Sequence, residues 1–153
     1  MSRTSLYAAT TIAGLLGLCS FLYAQPESGD LIKYRKNTME ALGGHAGAIS
    51  LIVRNKVDYA SQLPDHAKAL DMTMRTIVDI FPPDSAKGDT AAKAEIWQKP
   101  EEFKKAVAKA QDAASAFSKA VESGDKEQIA ASFKELGESC KHCHDNFRKE
   151  EKK

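Results

Sequence analysis

Beyond Pro26, apolar side chains return every three or four positions in four separate stretches, with no run of the two-residue alternation that marks a half-buried strand. The first stripe is Ile32, Met39, Ala46 and Val53, seven apart and interleaved with Arg35, Leu42 and Ile49. It predicts a helix starting near Asp30, with a seam turned to other helices and one charge in that seam, Arg35. After "RNKVDYASQ" comes a second stripe, Leu63, Ala67, Leu70, Met74, Ile77 and Phe81, and Pro82 and Pro83 are expected to end its helix. Residues 82–99 form the one long connection, in which Trp97 is expected to cover the end of the core. The third stripe, Phe103, Val107, Ala110, Ala114, Phe117 and Val121, has Pro100 in its first turn and stops at Gly124. Asp125 and Gln128 resemble a capping box for a fourth helix expected to end near Glu151, striped by Ile129, Phe133, Leu136, Cys140, Cys143 and Phe147. The fold class is therefore all-α, an antiparallel four-helix bundle.

The first 24 residues break the pattern: Arg3 is their only charge, an apolar run from Ile12 to Tyr23 follows, and Ala24 offers a small residue for cleavage. The run is short for a bilayer span, so residues 1–24 are expected to be a cleaved signal peptide rather than an anchor, leaving residues 25–153 as one domain in the periplasm. Cleavage removes Cys19, and the remaining cysteines are Cys140 and Cys143. Lys and Arg total 22 against 21 Asp and Glu, a balance that gives no nucleic-acid surface and little steering toward a charged partner. No carboxylate pair, nucleophile–base set or phosphate loop stands out, so the chain is not expected to be an enzyme.

The chemistry lies in "CKHCHDNFRK", residues 140–149. A thioredoxin-like pair belongs at a helix N-terminus beside strands, but this pair is deep in the last helix. A structural zinc site needs four ligands, and no second ligand pair has suitable spacing. C-x-x-C-H is also the attachment signature of c-type haem, in which both thiols bond the vinyl groups and the histidine binds iron. On a helix Cys140, Cys143 and His144 share one face, so one covalent haem c inside the bundle, with His144 as proximal ligand, accounts for all the features together. Lys141 and His142 are expected to face outward, and Arg148, one turn beyond His144, can bias its surroundings electrostatically.

The sixth iron position decides between functions. Along α-helices rising 1.5 Å per residue, Met39 lies about 13 Å from the start of the first helix and His144 about 10 Å from the same end of the bundle. Met74, about 10 Å from the end of the second helix, is a rival at the same height. His45 lies about 22 Å along and off the seam, and His66 is at the wrong end.

"YRKNTM", "EIW" and "CKHCHDNFR" resemble the class II c-type cytochromes, the cytochrome c prime family, across essentially the whole chain after residue 24. The resemblance implies a four-helix bundle with haem c bound through Cys140 and Cys143, His144 as proximal axial ligand, Arg35 near a haem propionate and Met39 at the distal position. The R-x-x-x-M spacing favours Met39 over Met74. Members with a ligating methionine there are low-spin and resemble cytochrome c-556, whereas cytochrome c prime proper leaves the iron five-coordinate and open to gases, nitric oxide above all. The expectation is Met39 ligation and one-electron transfer with periplasmic redox partners, and the alternative is gas binding. Family members often form homodimers through their first two helices, which Gly43 and Gly44 are placed to assist.

Overall fold

The computed structural model describes residues 26–150, so the expected signal peptide lies outside the described residues. Four helices dominate: α1 (Ser28–Val53), α2 (Leu63–Met74), α3 (Pro100–Ser123) and α4 (Lys126–Phe147). Their stripes interlock as the periodicity predicts. Ile49 on α1, Ala67 on α2 and Ala114 and Phe117 on α3 are buried at the centre, and Phe117 meets Phe133 of α4 at 5.4 Å between ring centroids. α1 packs on α2, α2 on α3 and α3 on α4, while α1 and α4 do not pack extensively against each other. That gap between the first and last helices is where the site lies.

Helix ends show how local chemistry sets the boundaries. Gly124 adopts φ 72°, the left-handed conformation that closes α3 at little cost without a Cβ. Asp125 then caps α4, its Oδ1 accepting from the backbone N–H groups of Glu127 at 2.9 Å and Gln128 at 3.1 Å. Gln128 answers side chain to side chain, donating to Asp125 Oδ2 at 2.8 Å instead of reaching back to a backbone N–H.

The hydrogen bonds to Gln128 are the first cause holding the Asp125 carboxyl below its usual range. A carboxyl whose folded pKa is depressed contributes stability above its unfolded pKa, about 3.9, and loses it as pH falls through the folded value. Asp125→Asn keeps a good cap without the titrating charge. It is expected to leave stability near pH 7 almost unchanged and to flatten the loss below about pH 4, which urea unfolding across pH 2–7 measures.

Two boundaries differ from expectation. The second helix does not run to Phe81: α2 ends at Met74, and Ile77–Ile80 is a tighter 3₁₀ turn. Thr76, Ile77 and Val78 form a β-branched run that weakens helix, and Gln111 of α3 donates to the carbonyls of Met74 (3.2 Å) and Arg75 (3.3 Å), satisfying the end it creates. The last helix stops at Phe147, because Arg148 turns extended and pairs with Ala92 in an isolated antiparallel bridge. Residues 82–99 are not featureless either. They contain a 3₁₀ turn at Pro83–Ser85 and a helical turn at Glu95–Gln98, and Lys149 N donates to Ala91 O at 2.7 Å.

Candidate functional site

A cleft of about 690 Å³ opens between α1 and α4, within the size range of small-molecule and cofactor sites. Arg35, Met39 and Leu42 line it from α1, Leu70 and Met74 from α2, and Phe133, Leu136, Cys140, Cys143 and His144 from α4. The heptad seam of α1 and the four-three stripe of α4 put these residues there, so the sequence periods that build the core also build the site.

Cys140 and Cys143 are half-buried free thiols on the cleft wall. Burial pushes both thiols up, Cys143 to about 11 with a further push from Cys140. At neutral pH they are thiols, unlike the thiolate of a working redox pair. His144 stands at the exposed mouth of the cleft with one edge against its wall. That partial burial, and next the positive charge of Arg148, lower its pKa, favouring the neutral imidazole that binds metals. Arg148 lines the cleft beside it, and its backbone N–H donates to His144 O at 2.9 Å. Lys141 and His142 point to solvent, and Lys141 Nζ pairs with Asp145 at 2.5 Å.

Arg35 is 4% exposed, and its role is wider than sequence spacing conveyed. Its terminal nitrogens donate to Ile80 O (3.3 Å), Ser85 Oγ (2.6 Å), Ser85 O (3.1 Å) and Thr90 Oγ1 (2.8 Å). The guanidinium carbon sits 4.8 Å from the Phe81 ring centroid and 5.9 Å from that of Trp97. Trp97 is half-buried and ties its indole N–H to the carbonyls of Phe81 (3.1 Å) and Pro82 (3.3 Å). Every acceptor on Arg35 is neutral, and among the described residues no carboxylate pairs with it. A buried cation on the wall of an apolar cleft is a setting in which an anionic group gains most.

Met39 is half-buried and Met74 buried, and both line the cleft, whereas His45 and His66 do not. Gly43 reaches the cleft, and a Cβ at Gly43 or Gly44 would meet nothing within 4 Å, so packing inside the chain does not demand glycine at either place. The residues present fit a haem: an apolar slot of suitable size, two thiols and an imidazole on one wall, and an unneutralised buried cation.

A helical bundle with C-x-x-C-H on the last helix defines a class, the bundle-type c cytochromes. The profile of the family described as Cytochrome C' matches residues 30–148. Cytochrome c' of Rhodospirillum rubrum is 37% identical over 139 residues, covering 90% of this chain and 95% of its own. Cytochrome c-556 of Agrobacterium fabrum is 29% identical over 140 residues, covering 91% and 94%. A ferrous variant of cytochrome c prime from Alcaligenes xylosoxidans, solved with bound NO, superposes with a TM-score of 0.77 at 28% identity, covering 83% of this chain and 99% of that one. The chain belongs to the cytochrome c' family, and its cofactor is one covalently attached haem c.

Proposed function

We propose that the protein binds a small gas, nitric oxide foremost, at a haem held by Cys140, Cys143 and His144, and that it does so in the periplasm. Haem c supplies an iron that accepts a diatomic ligand or a single electron. Cys140 and Cys143 would fix the group to α4, neutral His144 would supply its imidazole to the iron, and Arg35 would offer its charge to a propionate. Arg148 biases the proximal side through its charge.

The observation that carries this reading is the chemistry of the wall contributed by α1 and α2: Met39, Leu42, Leu70 and Met74, with the imidazoles of His45 and His66 outside the cleft. Arg35, Lys36 and Glu40 of α1 line the cleft as well, but that wall offers no imidazole or thiol. The thioethers of Met39 and Met74 stand among apolar side chains, which suits an open position that crowds its ligand. Similarity to the NO-bound relative supports the same choice.

Electron transfer through a His144–Met39 pair is the second reading, favoured by Met39 on the cleft wall and by the similarity to cytochrome c-556. Absorption and magnetic spectra of ferric and ferrous holoprotein beside Met39→Leu separate the two. High-spin spectra in both are expected, with NO binding to both. Met39→Ala is expected to speed carbon monoxide association on the order of tenfold by relieving crowding. A low-spin parent that turns high-spin in Met39→Leu would transfer the assignment to the electron carrier. Redox partners belong to that reading, and a homodimer through α1 and α2 is compatible with either.

A further inference from the structure

His45 on α1 and His66 on α2 face each other outside the haem cleft, their Nδ1 atoms 2.9 Å apart and their ring centroids 5.2 Å apart. Both side chains are half-buried, so the pair is screened by the two helices yet reachable from solvent. Two neutral imidazoles at this separation share a single proton, one nitrogen donating and the other accepting. Neither ring lines the cleft, so nothing in the haem site accounts for the pair.

From this geometry we propose that His45 and His66 form a second metal site, for a divalent transition ion with a preference for imidazole. Two nitrogens each about 2.0–2.1 Å from one ion lie about 2.9 Å apart at a right angle and about 3.4 Å at the tetrahedral angle. The observed 2.9 Å is the right-angle spacing, that of neighbouring positions in a tetragonal copper(II) or nickel(II) site. The ion takes the place of the shared proton, which moves through solvent to the Nε2 of the same ring, so that both imidazoles bind as neutral ligands. The rings pivot so that both lone pairs converge on the ion, and the helices keep their spacing. Among the described residues no third His, Cys, Asp or Glu joins the pair, so water completes the coordination. Ala41 and Ile49, one turn either side of His45, and Gln62 and Leu70, one turn either side of His66, carry no charge to attract a hard cation. The selection therefore rests on the imidazoles, and copper binds more tightly than nickel or zinc.

The test uses untagged ferric holoprotein titrated with copper(II), nickel(II) and zinc(II) salts by calorimetry, with copper electron paramagnetic resonance alongside. One copper ion per chain is expected, with hyperfine structure from two nitrogens and affinity in the order copper above nickel and zinc. His45→Gln and His66→Gln are each expected to weaken copper binding by at least about tenfold, the floor set by losing even an outer partner of a metal ligand. His142→Gln, on the exposed side of α4, is expected to change nothing. Absence of saturable copper binding, unaltered affinity in either pair variant, or loss in His142→Gln would overturn the proposal and leave an ordinary hydrogen bond between the rings. Should a pair variant fail to fold, the parent spectrum decides: two coupled nitrogens uphold the site, and one or none sinks it.

Discussion

Replacing Cys140 and Cys143 together by serine is expected to give a protein that no longer carries haem through denaturing electrophoresis and that loses most of its stability. The first effect follows from chemistry, because a serine hydroxyl does not form the thioether. The second follows from the fold. α1 and α4 are separated by a cleft of about 690 Å³, and the residues on its walls are predominantly apolar. At about 24 cal/mol per Å³ of empty apolar volume, leaving even a third of that space dry costs about 5 kcal/mol, comparable with the whole stability of an ordinary domain. The cofactor therefore completes the core as much as it supplies the chemistry. Haem staining and thermal unfolding followed by circular dichroism give the two readouts. Retained covalent haem would remove the thiols from the attachment role, and a melting temperature within about 5 °C of the parent would mean the cleft closes without its filler.

Much of this arrangement is legible in the chain, for a definite reason. A helix packed on one side writes its contacts at intervals of three and four, so Ile49, Ala67, Phe117 and Leu136 announce their burial locally. The C-x-x-C-H motif is legible for the same reason, since Cys140, Cys143 and His144 need only one turn of helix to share a face. What the sequence hides is decided at long range. The early end of α2 depends on Gln111, 37 residues away from Met74. The stop after Phe147 depends on Ala92, reached only once the connection folds back. The His45–His66 contact links residues 21 apart that lie off every apolar seam, so periodicity has nothing to say about them. Arg35 was visible as a charge in the wrong place. Its partners were not, because Ser85 and Thr90 are 50 and 55 residues away in a stretch without periodic signal.

Those partners make Arg35→Met the other substitution with a large expected effect. The guanidinium fastens the connection between α2 and α3 across the end of the cleft: Ile80, Ser85 and Thr90 all accept from it. Methionine fills much of the same volume but donates nothing. Burial lowers the Arg35 pKa, so losing the charge recovers some desolvation, and that opposes the lost bonds. The bonds win, since hydrogen bonds from a charged donor contribute about 1.5–3 kcal/mol each and the freed acceptors are only partly reached by water. A net loss of about 2–4 kcal/mol is expected, concentrated in the connection because the main helices keep their contacts. Lys87 lies in the released segment and is exposed, whereas Lys109 sits in the middle of α3. About 2 kcal/mol of local opening multiplies the cleavable population about thirtyfold, so trypsin should cut after Lys87 that much faster while cleavage after Lys109 lags behind. Arg35→Lys retains a charge with fewer directed donors and should fall between the two. Equal acceleration at both lysines would mean that Arg35 supports the bundle as a whole, and no acceleration at Lys87 would mean that the strap holds without it.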